Sequence, residues 1–270
     1  MVSPPELFDT QARAGFRTRA KAMGVADFLH RAAARQLQER LQDVNKSFTK
    51  SAFVGWLPEV WQGFGPDVAV PDDETLALPE AGFDLVVHGL CLHLANDPVG
   101  QLVQMRRALK PDGLLLAALF GGETLNELRY ALAQAEVAVE GGLSPRVAPM
   151  GDVRDLGALL QRAGLALPVA DATTLTVTYE TPLHLMRDLR AMGEGNAMAE
   201  RRGTLRRETL QKALEIYQAE FGLPDGRIPA TFEIIYLTGW APSATQPKPL
   251  RRGSATARLA DALGTKEYKG

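Results

Sequence analysis

The sequence predicts an α/β protein built on a mostly parallel sheet with an antiparallel edge strand, and three observations carry that prediction. Residues 83–120, FDLVVHGLCLHLANDPVGQLVQMRRALKPDGLLLAALF, read as strand, helix and strand in one unit. Helix-like and strand-like segments continue beyond it. The last apolar run, ATFEIIYLTGW at 230–240, follows two helices, and that order adds it antiparallel at the sheet edge.

The central unit is legible residue by residue. Phe83 to Leu92 lacks the alternation of a one-sided strand and is bounded by turn residues, as suits a parallel strand covered on both faces. Asp97 then caps a helix with Pro98 at its first position, where the missing N–H costs nothing. Val99, Leu102, Val103, Met105 and Leu109 form its apolar face, and Lys110-Pro111-Asp112-Gly113 stops it. Leu114 to Phe120 is the second strand, parallel to the first by the crossover rule.

Composition narrows the function classes. A chain of 270 residues, 46% hydrophobic and 23% charged, can bury a substantial core. A net charge of -2 offers no footprint for nucleic acid. No apolar run reaches membrane-spanning length, and MVSPPELFD lacks the core of a signal peptide. The single cysteine, Cys91, excludes an intrachain disulfide and fits a reducing compartment, with cytoplasm the expectation.

Residues 1–46 read as a helical arm. Arg13, Arg17, Arg19 and Lys21 are expected on a solvated face or against an acidic partner, while Phe28, Leu29, Ala32, Ala33, Leu37, Leu41 and Val44 keep the spacing of a packed helix. A first strand at Ser51–Trp56 is followed by Leu57-Pro58-Glu59-Val60-Trp61-Gln62-Gly63-Phe64-Gly65, with neither G-x-G-x-x-G nor a P-loop. Such loops need glycine so that backbone can approach a ligand; here Trp56 and Pro58 add bulk. Asp67–Val70 can form a short strand, and Asp72, Asp73 and Glu74 an acidic, solvated turn. Only 26 residues separate Trp56 from Phe83, and a βαβ unit takes roughly 30 or more, so two full strand-helix repeats do not fit.

Beyond the central unit, Gly121-Gly122 marks the exit from the sheet, and Thr124 with Glu127 has the spacing of a capping box for a helix to about Glu140. Ligands of open α/β sheets bind at strand carboxyl ends, which brings forward Leu92-His93 and Phe120-Gly121-Gly122. His93 is the candidate general base, and His88 a core residue. Arg146, in the loop Gly141–Arg146, either faces an anion at that rim or simply lies at the surface. Asp152 caps a helix that Gly164 ends, Leu175–Tyr179 alternates as a half-exposed strand, and Thr181-Pro182 starts a helix with Leu185, Met186, Leu189 and Met192 inward. The turn after it can project Glu194 and Asn196; Leu210, Leu214, Tyr217 and Phe221 define one more helix. From Ala241 the chain reads as a strap and tail.

FDLVVHGLCLHLANDP followed by RRALKPDGLLLAALF resembles the fourth and fifth strands of class I S-adenosylmethionine-dependent methyltransferases. GGETLNELR (121–129), GGLSPR (141–146), DVRDLGALLQRAG (152–164), DLRAMGEGNA (188–197), ATFEIIYLTGWAP (230–242) and QPKPLRRGSA (246–255) together resemble one subgroup of that fold. It contains the mitochondrial complex I assembly factor that acts as a protein-arginine hydroxylase, and its bacterial relatives. The malonyl-carrier-protein methyltransferase of biotin synthesis is a more distant likeness. The resemblance implies a three-layer Rossmann-like domain over 47–242, with a helical insertion at about 181–222, between the arm of 1–46 and a strap and tail of 243–270. It implies S-adenosylmethionine as cofactor, with Gly55, Gly89, Leu90, Cys91 and His93 as the positions facing it. Gly55-Trp56-Leu57-Pro58 replaces the usual glycine loop, and the strand-helix unit carrying the ribose-binding acid is compressed away.

Three functions follow as expectations. The first is methyl transfer from S-adenosylmethionine in an altered pocket, which needs alignment more than catalytic side chains. The second is the arginine hydroxylation of the subgroup; His30, His88, His93 and His184 show no metal-ligand spacing, and no metal site is expected. The third is a pseudoenzyme that binds a protein partner, such as a respiratory complex I subunit, through a rim of Gly121, Gly122, Thr124, Arg146, Glu194 and Asn196. A small-molecule substrate belongs to the first reading. The subgroup makes the mitochondrial matrix the alternative to a bacterial cytoplasm.

Overall fold

The computed structural model describes residues 6–201 and 203–246. Most of the strap and tail expected at 243–270 lies outside them. Alternating residues of one six-stranded sheet build two cores, so helices cover both faces. The strands are β1 (Ser51–Val54), β2 (Val68–Val70), β3 (Phe83–Gly89), β4 (Leu109–Phe120), β5 (Ala166–Tyr179) and β6 (Ile228–Trp240), in the order β2-β1-β3-β4-β6-β5. The first four are parallel neighbours. β6 is antiparallel to both β4 and β5, so the antiparallel strand sits one place in from the edge and β5 closes the sheet.

The helices are α1 (Thr10–Met23), α2 (Phe28–Gln42), α3 (Pro98–Ala108), α4 (Asn126–Glu140), α5 (Val153–Arg162), α6 (Pro182–Ala191) and α7 (Arg207–Phe221). On one face Leu29 and Leu37 of α2, Leu128 and Ala131 of α4, Leu185 of α6 and Tyr217 of α7 pack with Phe53, Leu85, Leu116 and Phe232. On the other, Leu102 and Met105 of α3 and Leu160 of α5 pack with Val54, Val86, Leu115 and Ile235. Both arrangements follow from the two-residue period of a strand, which sends neighbouring side chains to opposite faces.

Local signals fold as written where partners lie a few residues away. The Asp97 carboxylate accepts from the Gly100 N–H at 2.7 Å, and Asp152 accepts from Arg154 and Asp155 at 2.8 and 2.9 Å. Between β1 and β3 the chain holds one 3₁₀ turn, Pro58–Phe64, and the short β2. β4 starts at Leu109 rather than Leu114, because the Lys110–Gly113 turn is carried as an irregularity within the strand. β5 is nine residues longer than its alternating end suggested, since its pairing with β6 extends to Ala166.

Two further expectations fail. The capping box does not form: Leu125, at φ 56°, precedes α4 with no side-chain cap. Thr124 instead donates its hydroxyl to the Glu233 carbonyl at 3.0 Å and accepts the Glu233 N–H at 3.1 Å, while Glu127 accepts from Thr231. Both capping groups serve β6. Nor are Arg13 and the Asp72 end of the acidic turn solvated, although Asp73 and Glu74 are exposed and Arg17 is only partly buried. Arg13 and Asp72 are 6% and 1% exposed, and α1 lies across the turn that follows β2.

Candidate functional site

The carboxyl ends of β1, β3 and β4 meet α1, the start of α2, and the turn after α6. Gly55 and Gly89 stand at two of these ends, and the space over them is filled. A β-carbon on Gly89 would lie 2.5 Å from the Phe53 ring and 2.7 Å from Trp61; one on Gly55 would lie 2.6 Å from Phe53. Phe53 and Trp61 stack at 5.6 Å, and Trp61 is fully buried. These glycines therefore make room for aromatic rings of the chain itself. Leu90 follows in a left-handed conformation, φ 53°, which costs a β-substituted residue on the order of 1–3 kcal/mol and concentrates at functional edges. The Cys91 thiol donates to the Gly89 carbonyl at 3.1 Å, and burial pushes its pKa up, so it stays protonated and unreactive.

His93 is buried, with its ring edge against Phe120 at 4.8 Å and Nε2 3.3 Å from the Glu194 carboxylate. Burial alone would raise the Glu194 pKa. The charges of His93 and Arg17 and the His93 hydrogen bond outweigh it and hold the carboxyl below its ordinary range. His30 of α2 lies edge-on to both Trp56 and Trp61 at 6.2 Å, and burial lowers its pKa to about 4. His30 Nδ1, His93 Nδ1 and Trp61 Nε1 are buried and have no hydrogen-bond partner among the described residues. Such orphans are rare in folded chains and concentrate where function or solvent intrudes.

A second layer of charge escaped the sequence reading. Arg17 grips Asp72 with two hydrogen bonds of 2.6 and 2.9 Å, and Arg13 adds an ion pair at 3.3 Å. Burial opposes ionisation of Asp72, but these guanidinium groups hold its pKa below the usual value. Gln101 ties the Asp72 carbonyl to His88, at 3.2 and 3.3 Å. The readable signal was Arg13 and Arg17 at helical i, i+4 spacing, which gives one face of α1 two cations in need of an acid.

The expected rim is only partly assembled. Thr124, Arg146, Glu194 and Asn196 do line one narrow recess of about 70 Å³ with Phe120 and Phe232. Arg146, however, turns inward to Glu136 at 2.7 Å and to the Gly203 carbonyl at 2.9 Å, so it does not await an anion. Asn196 donates to the Pro145 carbonyl and accepts from the Met198 N–H, both at 3.1 Å, which holds a loop. Gly121 lies under the Glu233 carboxylate, where an added β-carbon would come within 2.3 Å of Oε2, and the Gly122 N–H donates to Gly151 at 3.1 Å. Those two glycines are packing points.

Beside the filled seat lies open space. A cleft of about 450 Å³ is lined by Arg17, Thr18 and Lys21 of α1, by Trp56, and by Asp73 and Glu74. Trp56 is only partly buried there, with the Arg17 guanidinium 5.5 Å from its ring centre. Among the described residues no three His, Cys, Asp or Glu side chains gather as a metal would need. No helix among them is long and apolar enough to cross a membrane.

Comparison with known proteins gives three findings. A methyltransferase-domain family model matches residues 27–117. The chain is 45% identical over 190 residues to the mitochondrial arginine-hydroxylase NDUFAF5 of Danio rerio, covering 70% of this chain and 59% of that one. It is 36% identical over 181 residues to the malonyl-acyl-carrier-protein O-methyltransferase of Halorhodospira halophila, covering 67% and 59%. The matches thus span less than two thirds of these relatives' length.

Proposed function

We propose, from its membership of the class I S-adenosylmethionine-dependent methyltransferase superfamily and its likeness to the mitochondrial arginine hydroxylase, that the chain binds S-adenosylmethionine in a displaced site and works on a protein partner in respiratory-complex assembly. The observation that carries the displaced site is the pair of rings over Gly89. With Phe53 and Trp61 in the usual seat, a nucleoside does not fit there, while the neighbouring cleft has a volume within the range of small-molecule sites. In that cleft the Trp56 indole would stack on the adenine, Asp73 and Glu74 would accept from the ribose hydroxyls, and Lys21 would meet the methionine carboxylate. The cofactor, when bound, supplies an electrophilic methyl group. Arg17 is committed to Asp72, which fixes the wall of the cleft rather than the ligand.

The resemblance to the complex I assembly factor and the likeness to a mitochondrial arginine hydroxylase support the rest of the reading. A complex I subunit is the partner class we infer, the recess of Thr124, Glu194 and Asn196 its point of contact, and a mitochondrial-type matrix the compartment. His93, buried behind Glu194 and Phe120 that line the recess, is the general base we infer.

Calorimetric titration of the full chain with S-adenosylmethionine tests the cofactor site. Micromolar binding that Trp56→Ala abolishes and Phe53→Ala leaves in place is the expected result. Binding indifferent to Trp56→Ala would overturn the displaced site. Complete silence of the wild-type chain would instead favour a second reading, also supported by the filled seat: a partner-binding protein on a methyltransferase fold with no methyl donor.

A further inference from the structure

The chain carries a further concavity, apart from the cleft at Trp56 and the recess at Thr124. A groove of about 730 Å³ runs between α4 and the loop after it, walled by Leu132 and Ala133, by Leu143 and Val147, and by Leu7 and Met198. Its walls are mainly aliphatic, and two large side chains stand at its mouth unprotected: Leu7 is 50% exposed and Leu143 62%. Grooves of this size with apolar walls and charged rims are characteristic of surfaces that receive another chain.

The charges decide which chain. Glu6 and Glu200 line the groove, are exposed, and have no ion-pair partner among the described residues. The two arginines that also border it are committed elsewhere. Arg129 donates to the Gly122 and Thr124 carbonyls at 3.2 and 3.1 Å, and Arg146 to Glu136 and Gly203. Arg146 is neutralised by Glu136, while Arg129 meets only neutral carbonyls and keeps its charge, so with Glu6 and Glu200 the groove carries a net negative charge. Its walls are also held firmly before any partner arrives. Glu136 is fully buried and accepts from the Ser144 N–H at 2.7 Å and the Ser144 hydroxyl at 2.6 Å, which pins the loop bearing Leu143. Phe8 bridges to Met198, and its N–H donates to Asn96 at 2.8 Å, which pins Leu7. A preformed site loses less conformational freedom on binding.

We propose that this groove docks a basic amphipathic helical segment of the partner protein, its aliphatic side chains seated on Leu132, Leu143 and Val147 and its lysines or arginines paired with Glu6 and Glu200. The groove shares Arg146 and Val147 with the recess that holds Thr124, Glu194 and Asn196, so a segment lying in it would be led to that recess. The inference deepens the partner half of the functional reading and rests on it; the cofactor half is independent.

The test uses the full chain and two labelled helical peptides, one with leucines at helical spacing flanked by lysines, the other with glutamates replacing the lysines, read by fluorescence anisotropy. The lysine peptide should bind more tightly by on the order of tenfold. Leu143→Asp, at an exposed position, should abolish that binding without changing the thermal melt. The double substitution Glu6→Lys and Glu200→Lys should transfer the preference to the glutamate peptide. Equal affinity for the two peptides, no binding of either, or binding indifferent to Leu143→Asp would each overturn the proposal. Peptide binding that persists in a chain silent towards S-adenosylmethionine would sink the cofactor reading alone.

Discussion

The Arg17 guanidinium and the Asp72 carboxylate meet as a two-bond fork, Nη1 to Oδ1 at 2.6 Å and Nη2 to Oδ2 at 2.9 Å, across 55 residues of sequence. Asp72 is buried and Arg17 partly so, and the pair fastens α1 over the carboxyl edge of the sheet and shapes the cleft at Trp56. Asp72→Asn leaves the buried Arg13 and the partly buried Arg17 facing an uncharged amide. The expected loss is about 3–5 kcal/mol, read from urea denaturation, and the double substitution Arg17→Met with Asp72→Leu should recover much of it. An unchanged midpoint in Asp72→Asn would remove this pair from the account of the fold.

Acid should weaken the protein well above the range in which carboxylates titrate. Burial lowers the pKa of His30 and of His88 from 6.5 to about 4, so in the folded chain both stay neutral where an unfolded chain would protonate them. The unfolded state then binds more protons between these values, and stability rises with pH across that window. It is complete above about pH 6.5 and falls by up to about 3 kcal/mol per histidine as pH approaches 4. Asp72 and Glu194, whose folded pKa values are depressed, contribute stability above their unfolded values and lose it at still lower pH. Urea midpoints measured from neutral pH down to about 4 give the slope. His88→Gln should make it shallower, and a slope equal to wild type would contradict the assignment.

Gly89 should be intolerant of even one methyl group. A β-carbon there would lie 2.5 Å from Phe53 and 2.7 Å from Trp61, both held between the sheet and α2. Gly89→Ala is expected to cost about 1–3 kcal/mol, and Phe53→Leu in the same chain to relieve part of that cost by shortening the ring. Additive losses in the thermal melts of the double-mutant cycle would show that the two positions do not press on each other.

Much of the architecture was readable because its causes are local. Asp97 with Pro98, Asp152, and the apolar face of α3 declare themselves within one or two helical turns, and the uninterrupted apolar run at Phe83 announces a strand buried on both sides. Counting residues between Trp56 and Phe83 was enough to exclude two strand-helix repeats there. The contents of the site were another matter. Thr124 and Glu127 have the spacing of a helix cap, yet β6 arrives alongside and takes both. Arg146 has the look of a free cation until the buried Glu136 of α4 is set against it.

Sequence alone thus determined the α/β class, the short front half of the sheet, and the loss of the glycine loop, since each depends on hydrophobic period, chain length or the φ freedom of single residues. Tertiary structure decided what fills the space that loop would have left, and which charges are spent. Phe53 and Trp61 converge on Gly89 from residues 36 and 28 positions earlier, and Arg17 reaches Asp72 from another helix. Packing and ion pairing at such separations are settled by how the sheet brings its edges together, and no periodicity along the chain encodes that distance.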